Sequence, residues 1–285
     1  MKKVLFCIFL CLMPRLCFSQ VVLFSYALND CKALDTTRYV LQYKMNFMIH
    51  PKSEYGMHQD IRKVQVGSRI VKDYSAILWK WDSLATENYN KGLNMYNPTN
   101  KDILNIYPLE VYNSYTKNSS KITYRLTGKV GVLYWTEPDA KLNWKLEGSD
   151  TVKVLGYSCQ RASVSWGGRN YIAWFSPDIP INAGPYRFRG LPGLIMKVKE
   201  ATNMYSWELQ GLEQKKEPIN EYRYDPMRKS TNREKAINTI NRMYDTPLAF
   251  MLSAGQEVYI RRKDGRYGKP TAEDETHVPF EYIEK

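Results

Sequence analysis

Three histidines, His50, His58 and His277, are the only imidazoles available for metal ligation or proton transfer. A histidine metal site needs convergent spacing such as H-x-x-x-H, or a Cys/His cluster. His50 and His58 are eight apart, and a strand ending at Ile49 gives no reason for them to converge. Ser163 and Ser165 precede Gly167-Gly168, residue types that build a nucleophile turn. G-x-S-x-G is absent, however, and the pattern around them is strand–hairpin–strand rather than strand–turn–helix. Glu273-Asp274-Glu275 offer paired carboxylates for acid–base work, but they sit in a polar stretch that reads as a solvated tail. No glycine loop of the phosphate-cradling type occurs. No catalytic residue, metal ligand or cofactor is therefore expected.

What remains is chemistry of binding. Between Ser176 and Gly193 lie Pro177, Pro180, Pro185 and Pro192 with Gly184, Gly190 and Gly193. Proline fixes φ while glycine permits the turns between fixed pieces, so the segment reads as an ordered loop. Its expected tip is Tyr186-Arg187-Phe188-Arg189, two cations beside two aromatics. Arginine supplies charge and planar hydrogen bonding, and the rings supply rigid apolar contact. With Leu191, these four form the candidate binding set. Trp135, Trp144, Trp166, Trp174 and Trp207 fall on expected strands. They serve core packing, or they line a concave apolar cavity suited to an acyl chain or a peptide.

The chain carrying these residues has 285 residues, 44% of them hydrophobic, with 22 Tyr and 7 Trp. That apolar fraction excludes wholesale disorder and collagen-like repetition, and the aromatic bias favours strands. Lys and Arg number 41 against 29 Asp and Glu. Residues 1–19 open with Lys2 and Lys3, run apolar from Val4 to Met13 and close with Cys17-Phe18-Ser19, which reads as a secretory signal cut after Ser19. The apolar run is shorter than the roughly 20 residues a membrane span needs, and no lipobox surrounds Cys7, Cys11 or Cys17. Cleavage would remove Lys2, Lys3 and Arg15, leaving 38 basic and 29 acidic residues. A basic surface outside the cytoplasm favours anionic glycans, lipid head groups or acidic proteins, or simply keeps the chain soluble. No basic run with interleaved aromatics marks a nucleic-acid groove. Cys31 and Cys159 then remain in an oxidising compartment, where a structural disulfide is expected.

Positioning falls to strands. Tyr39, Leu41, Tyr43, Met45, Phe47 and Ile49 place an apolar residue at every second position. Val21–Tyr26 and Val64–Ile70 read as weaker strands. Ser75 offers an N-cap to a helix carrying Ile77, Leu78, Trp81 and Leu84 and ended by Gly92. Residues 97–115, interrupted by Pro98 and Pro108, read as loop and short pieces. Strands follow at Ile122–Leu126 and Val130–Trp135, at Leu142–Leu146 and at Val152–Trp166. A Gly167-Gly168 hairpin leads into Arg169–Phe175. Leu194–Lys199 pairs with Met204–Gln210 across residues 201–203. Thr231-x-x-Glu234 is a capping box for a helix through Tyr244, ended by Pro247. Glu257–Arg262 is a last strand. Nine or ten strands joined by tight turns, with two helices, predict a β-rich α+β domain over residues 20–285. Its centre is one large curved antiparallel sheet or open barrel.

Gly190-Leu191-Pro192-Gly193-Leu194-Ile195 matches the signature of the GLPGLI family of secreted Bacteroidetes proteins. The approach is similar too: Tyr157-x-Cys159-Gln160, Gly168-Arg169-x-Tyr171-x-Ala173-Trp174-Phe175, Asp178-Ile179-Pro180 and Gly184-Pro185-Tyr186. So are Tyr244-x-x-Pro247-x-Ala249-Phe250 and Val278-Pro279-Phe280-Glu281. The likeness is specific over residues 155–196. Phe175 replaces a more usual Tyr, and Met196 a common Leu. The resemblance implies an exported β-rich protein of a diderm bacterium, with no established reaction and with relatives often encoded near TonB-dependent receptors. Its signature is read either as a rigid loop that specifies the fold or as a binding surface. The expected role is an envelope binding or accessory protein, carrying an apolar or anionic ligand or docking on an outer-membrane receptor. The alternatives are an envelope hydrolase with an unrecognised site and a purely structural component.

Overall fold

Period-two patterning shapes the first element. In β1 (Cys31–Phe47) Leu41, Tyr43, Met45 and Phe47 are buried, Gln42 is exposed, and Lys44 and Asn46 are half-buried, as a strand with one wet face requires. The computed structural model describes residues 23, 25–51, 56–93, 106–139, 141–224, 228–262, 264–275, 277–278 and 280–284. The signal-like segment 1–19 lies outside them. β1 begins eight residues before Tyr39, because register shifts at Ala33/Asp35, Thr37/Tyr39 and Gln42/Tyr43 bend it and break the alternation.

The chain continues as β2 (His58–Gly67), β3 (Ile70–Ser75), α1 (Ala76–Asn90), β4 (Leu109–Ser114), β5 (Ser119–Arg125) and β6 (Val132–Pro138). A second run holds β7 (Lys145–Val154), β8 (Tyr157–Trp166), β9 (Arg169–Ser176), β10 (Leu194–Glu200) and β11 (Tyr205–Gln214). Then come β12 (Pro218–Tyr222), β13 (Arg228–Ser230), α2 (Arg233–Asp245), α3 (Pro247–Ser253) and a small ribbon, β14 (Ile260–Arg261) with β15 (Tyr267–Gly268). Both runs are antiparallel meanders joined where β1 pairs with β11. β12 pairs with the start of β1, and β13 lies parallel to β6. The result is one 13-stranded sheet whose edges, β13 and β7, do not meet. The fold is β-rich with one large open sheet, as the strand pattern predicts. Among the described residues no helix is long and apolar enough to cross a membrane.

Local chemistry explains the boundaries. The Ser75 hydroxyl accepts from the Leu78 amide at 3.2 Å and caps α1. Gly167 and Gly168 have φ of +56° and +70°, the pair of left-handed residues a tight hairpin demands. Leu155 and Gly156 do the same at +49° and +83°, so the expected single strand Val152–Trp166 is a hairpin. β4 starts directly after Pro108, inside the stretch read as loop, since proline is tolerated at a strand entry. α2 is capped by Asn232, whose Oδ1 accepts from Lys235 N at 2.9 Å, one residue beyond the expected Thr231. α3 begins at Pro247, an N1 position where its missing donor does no harm. Within Val21–Tyr26, Leu23 makes only an isolated bridge to Gly128. The last expected strand shrinks to Ile260–Arg261. Asp274 is not in a solvated tail: it closes a 3-10 turn and pairs with Arg262 at 2.8 Å.

The Cys31–Cys159 disulfide is not formed, and both thiols are free. Cys31 is exposed where β1 pairs with β12, and Cys159 is buried in β8 with its sulfur 3.5 Å from Met196 Sδ. β11, β10 and β9 separate their strands. Strands stand about 4.8 Å apart, so this exceeds the ~7 Å between Cα atoms that a bridge tolerates.

Candidate functional site

Buried charge organises the concave face. Arg62 on β2 is enclosed, with Nε on Asp73 Oδ1 at 2.8 Å, Nη1 on Asp60 Oδ2 at 3.1 Å, and further bonds to the Tyr107 and Leu109 carbonyls at 2.9 and 2.6 Å. Asp60 also accepts from Ser75 Oγ at 2.8 Å and Tyr107 N at 3.2 Å. Burial pushes its carboxyl up to about 6, and Arg62 with those donors offsets only part of the effect. Asp73 Oδ2 accepts at 2.5 Å from the backbone N–H of Tyr186. The proline-glycine loop is thereby tied to β3.

That loop runs inward. Leu194 N donates to Ile179 O at 2.9 Å, and Ile195 N to Ala183 O at 3.0 Å, folding the loop back on β10. Gly193 has φ +152°, and a Cβ there would lie 2.1 Å from the Ser176 carbonyl oxygen. Only glycine fits that approach. The expected tip at residues 186–189 does not project from the surface: of the candidate binding set, Tyr186, Arg187, Phe188 and Leu191 are 3%, 4%, 1% and 3% exposed. Phe188 meets Tyr171, Trp207 and Trp166 at 4.9, 5.5 and 5.6 Å between centroids, edge to face. Tyr186, itself at φ +57°, stacks on Trp207. The physical reason is partner supply. Arg187 Nη1 meets Glu137 Oε2 at 2.8 Å and Glu284 Oε1 at 2.9 Å, and Nη2 donates to Pro138 O at 3.0 Å. The guanidinium stands 5.3 Å from the Trp166 ring centroid. Burial works against its charge, but Tyr186, Glu284 and Glu137 outweigh that and raise its pKa. Burial, then Glu284, likewise drives the Tyr186 phenol well up. Arg189 alone of the four is half-buried. It pairs with Asp139, lies 4.9 Å from the Tyr115 ring, and its carbonyl accepts from Trp144 Nε1 at 2.8 Å. In the signature, Leu191, Leu194 and Ile195 are core residues, while Gly190 N donates to Asn182 Oδ1 at 2.7 Å.

The C-terminal stretch completes the filling. Phe280 stacks on Tyr244 at 4.1 Å, Glu281 pairs with Arg169 at 2.7 Å, and the Ile283 carbonyl accepts from Arg169 Nε at 2.9 Å. Glu284 also accepts from the Tyr186 hydroxyl. Arg187 of the loop thus touches both β6, through Glu137 and Pro138, and β8, through Trp166, while Glu284 of the tail closes over it. Glu137 and Glu284 escaped the sequence reading, and Glu281 entered it only through the resemblance of Val278-Pro279-Phe280-Glu281. The alternation of Val278, Phe280 and Tyr282 was the available signal that this stretch is packed rather than solvated. Tyr282, Ile283 and Glu284 are all buried.

Outside this filled interior, a groove of about 1010 Å³ opens beside the start of the loop. One wall is β1 and the end of β11, with Arg38, Tyr39, Leu212, Gln214, Lys215 and Lys216. The other is residues 178–182 with Tyr115 and Tyr157. Tyr115 donates to Asn182 O at 2.5 Å and fixes the loop wall. Lys215 is committed to Glu217 at 3.1 Å, whereas Arg38 and Lys216 carry no ion-pair partner among the described residues. A second cleft of about 610 Å³ is lined by His50, Asn241, Arg242, Asp245, His277, Val278 and Phe280, with His277 paired to Asp245. His58 is apart from both, buried against Phe47, and burial lowers its pKa. Among the described residues no three His, Cys, Asp or Glu side chains are arranged to hold a metal. Ser165 bonds Asn170 across its hairpin at 2.7 Å.

Residues 164–197 match a family described as "Protein of unknown function (Porph_ging)". No curated protein matches the chain. Two solved structures, "Structure of PNGF-II in P21 space group" and "Structure of PNGF-II in C2 space group", share 15% and 14% identity with TM-scores of 0.47 and 0.45. In each case the similarity covers 74% of this chain and 34% of the other, so the chain spans about a third of their length. The family match takes in the end of β8, all of β9, the loop with the GLPGLI signature and most of β10. It is the stretch that fills the sheet.

Proposed function

We propose that the chain is a non-enzymatic binding or accessory protein of the cell envelope, and that it meets its ligand or receptor in the groove between β1/β11 and residues 178–182. One observation carries this reading: the concave interior is occupied by the chain's own loop and tail, while the groove is open and rimmed by tyrosines and cations. An acyl-chain carrier needs an apolar cavity, and here that volume holds Tyr186, Phe188 and Leu191. The signature residues then act on function indirectly, by holding the groove's loop wall in place. The partner expected is an outer-membrane receptor or an envelope lipid or glycan.

Site-specific photo-crosslinking in intact envelopes tests the reading. A crosslinker at Tyr157 or Lys216 is expected to capture a defined partner, and one at exposed Lys80 on α1 is expected not to. Native mass spectrometry of the purified chain is expected to show its bare mass. A stoichiometric lipid released on denaturation, with no capture from the groove, would overturn the proposal.

A further inference from the structure

The groove's side chains are specific enough to name a ligand class. Three aromatic rings line it, from Tyr39, Tyr115 and Tyr157. Two primary amides line it, Gln214 and Asn182, the latter with its Oδ1 already accepting from Gly190 N at 2.7 Å. Two cations, Arg38 and Lys216, are exposed there. Flat π faces carry partial negative charge and pack against the polarised C–H face of a pyranose ring. Amides match vicinal hydroxyls, donating and accepting at once. Arginine and lysine match a carboxylate, sulfate or phosphate carried on the sugar. Resting on the groove reading above, we propose that this site binds an anionic oligosaccharide.

The main rival is an acidic peptide, which the amides and tyrosine rings of the lining favour less than a sugar. Extended peptides are held chiefly by pairing with an open strand edge. β1 has β2 on one side and β11 with β12 on the other, and β11 lies between β1 and β10. β1 is thus paired on both edges, whereas β10 covers β11 only from Ser206 to Glu208, so Leu212 and Gln214 stand on a stretch of β11 without a β10 partner and oligoglutamate is the probe that decides between peptide and sugar. Asp178 is the one carboxylate among the lining residues, and it sets a weak repulsion against any anionic ligand.

Titration calorimetry at two salt concentrations tests the proposal with four probes of similar length: oligogalacturonate, a phosphorylated oligomannose, neutral maltohexaose and oligoglutamate. At least one of the two anionic sugars is expected to bind at least ten-fold more tightly than maltohexaose and oligoglutamate. Preference between them distinguishes a carboxylate-bearing from a phosphate-bearing ligand. Tyr157→Ala, and Arg38→Gln with Lys216→Gln, are each expected to weaken it ten-fold or more without moving Tm, since all three side chains are exposed. Asp178→Asn is expected to tighten it several-fold. Equal binding of oligoglutamate, or unchanged affinity in the groove variants, would mean general attraction to a basic chain and overturns the proposal. If no sugar binds while those variants abolish the envelope crosslink, the ligand class is wrong and the groove reading stands. If the variants alter neither readout, both are lost.

Discussion

Arg187 illustrates how far a side chain's surroundings can lie from its sequence neighbours. Its carboxylate partners, Glu137 and Glu284, are 50 and 97 residues away, so nothing near Tyr186-Arg187-Phe188-Arg189 announced that the cation would be buried. The residue types were legible as a cation–aromatic cluster, and the direction in which the cluster faced was not. Arg187→Ala should destabilise the fold by about 3–5 kcal/mol, because it strands buried carboxylates. Urea denaturation checks this. Adding Glu137→Gln and Glu284→Gln should recover part of the loss, and no recovery would show that packing of the stem dominates. Asp60 gives a pH test. Its pKa is raised in the folded state, to about 6, so its stabilising contribution is complete below the unfolded value near 4 and is lost as pH rises through 6. The stability of the native chain relative to Asp60→Asn should therefore fall between pH 4 and 7, by on the order of 2–3 kcal/mol. A flat difference across that range would refute the assignment.

Among the elements, those with local causes were readable. The alternation of β1, the Ser75 cap and the Gly167-Gly168 hairpin all follow from short-range chemistry. β4 was not readable, because its pairing with β3 and β5 rather than its own pattern makes it a strand. The ordered loop was recognised from its prolines and glycines, and its inward path depends on β3, β6 and the tail. Gly193→Ala tests that path. With a Cβ 2.1 Å from the Ser176 oxygen, the variant should lose at least about 3 kcal/mol or fail to fold. Gly156→Ala is the contrast: φ is +83° but no atom lies within 4 Å of the added carbon, so about 1–2 kcal/mol is expected. Equal losses in the two variants would mean that backbone conformation alone, not the close approach, makes Gly193 necessary.

On the scale of the molecule, composition and strand count were sufficient for a β-rich single sheet, and insufficient for what fills it. Cysteine arithmetic also misled, since compartment and number say nothing about distance across a sheet. Alkylation of a chain beginning at Gln20 should modify Cys31 in the native state and Cys159 only after denaturation, where burial no longer shields the thiol or raises its pKa. A chain that takes up no label until it is reduced would restore the disulfide. The seam between the two meanders has a further consequence, for the order of folding. β1 finds β2 after a short connection, Phe47 lying opposite His58 eleven residues on. Its other edge waits for Tyr205–Gln214, roughly 160–175 residues downstream. A nascent chain therefore carries a long aromatic strand with one unsatisfied edge until most of its length has been synthesised. Such high contact order makes folding slow and exposes the intermediate to aggregation, so the refolding yield is expected to fall steeply as chain concentration rises.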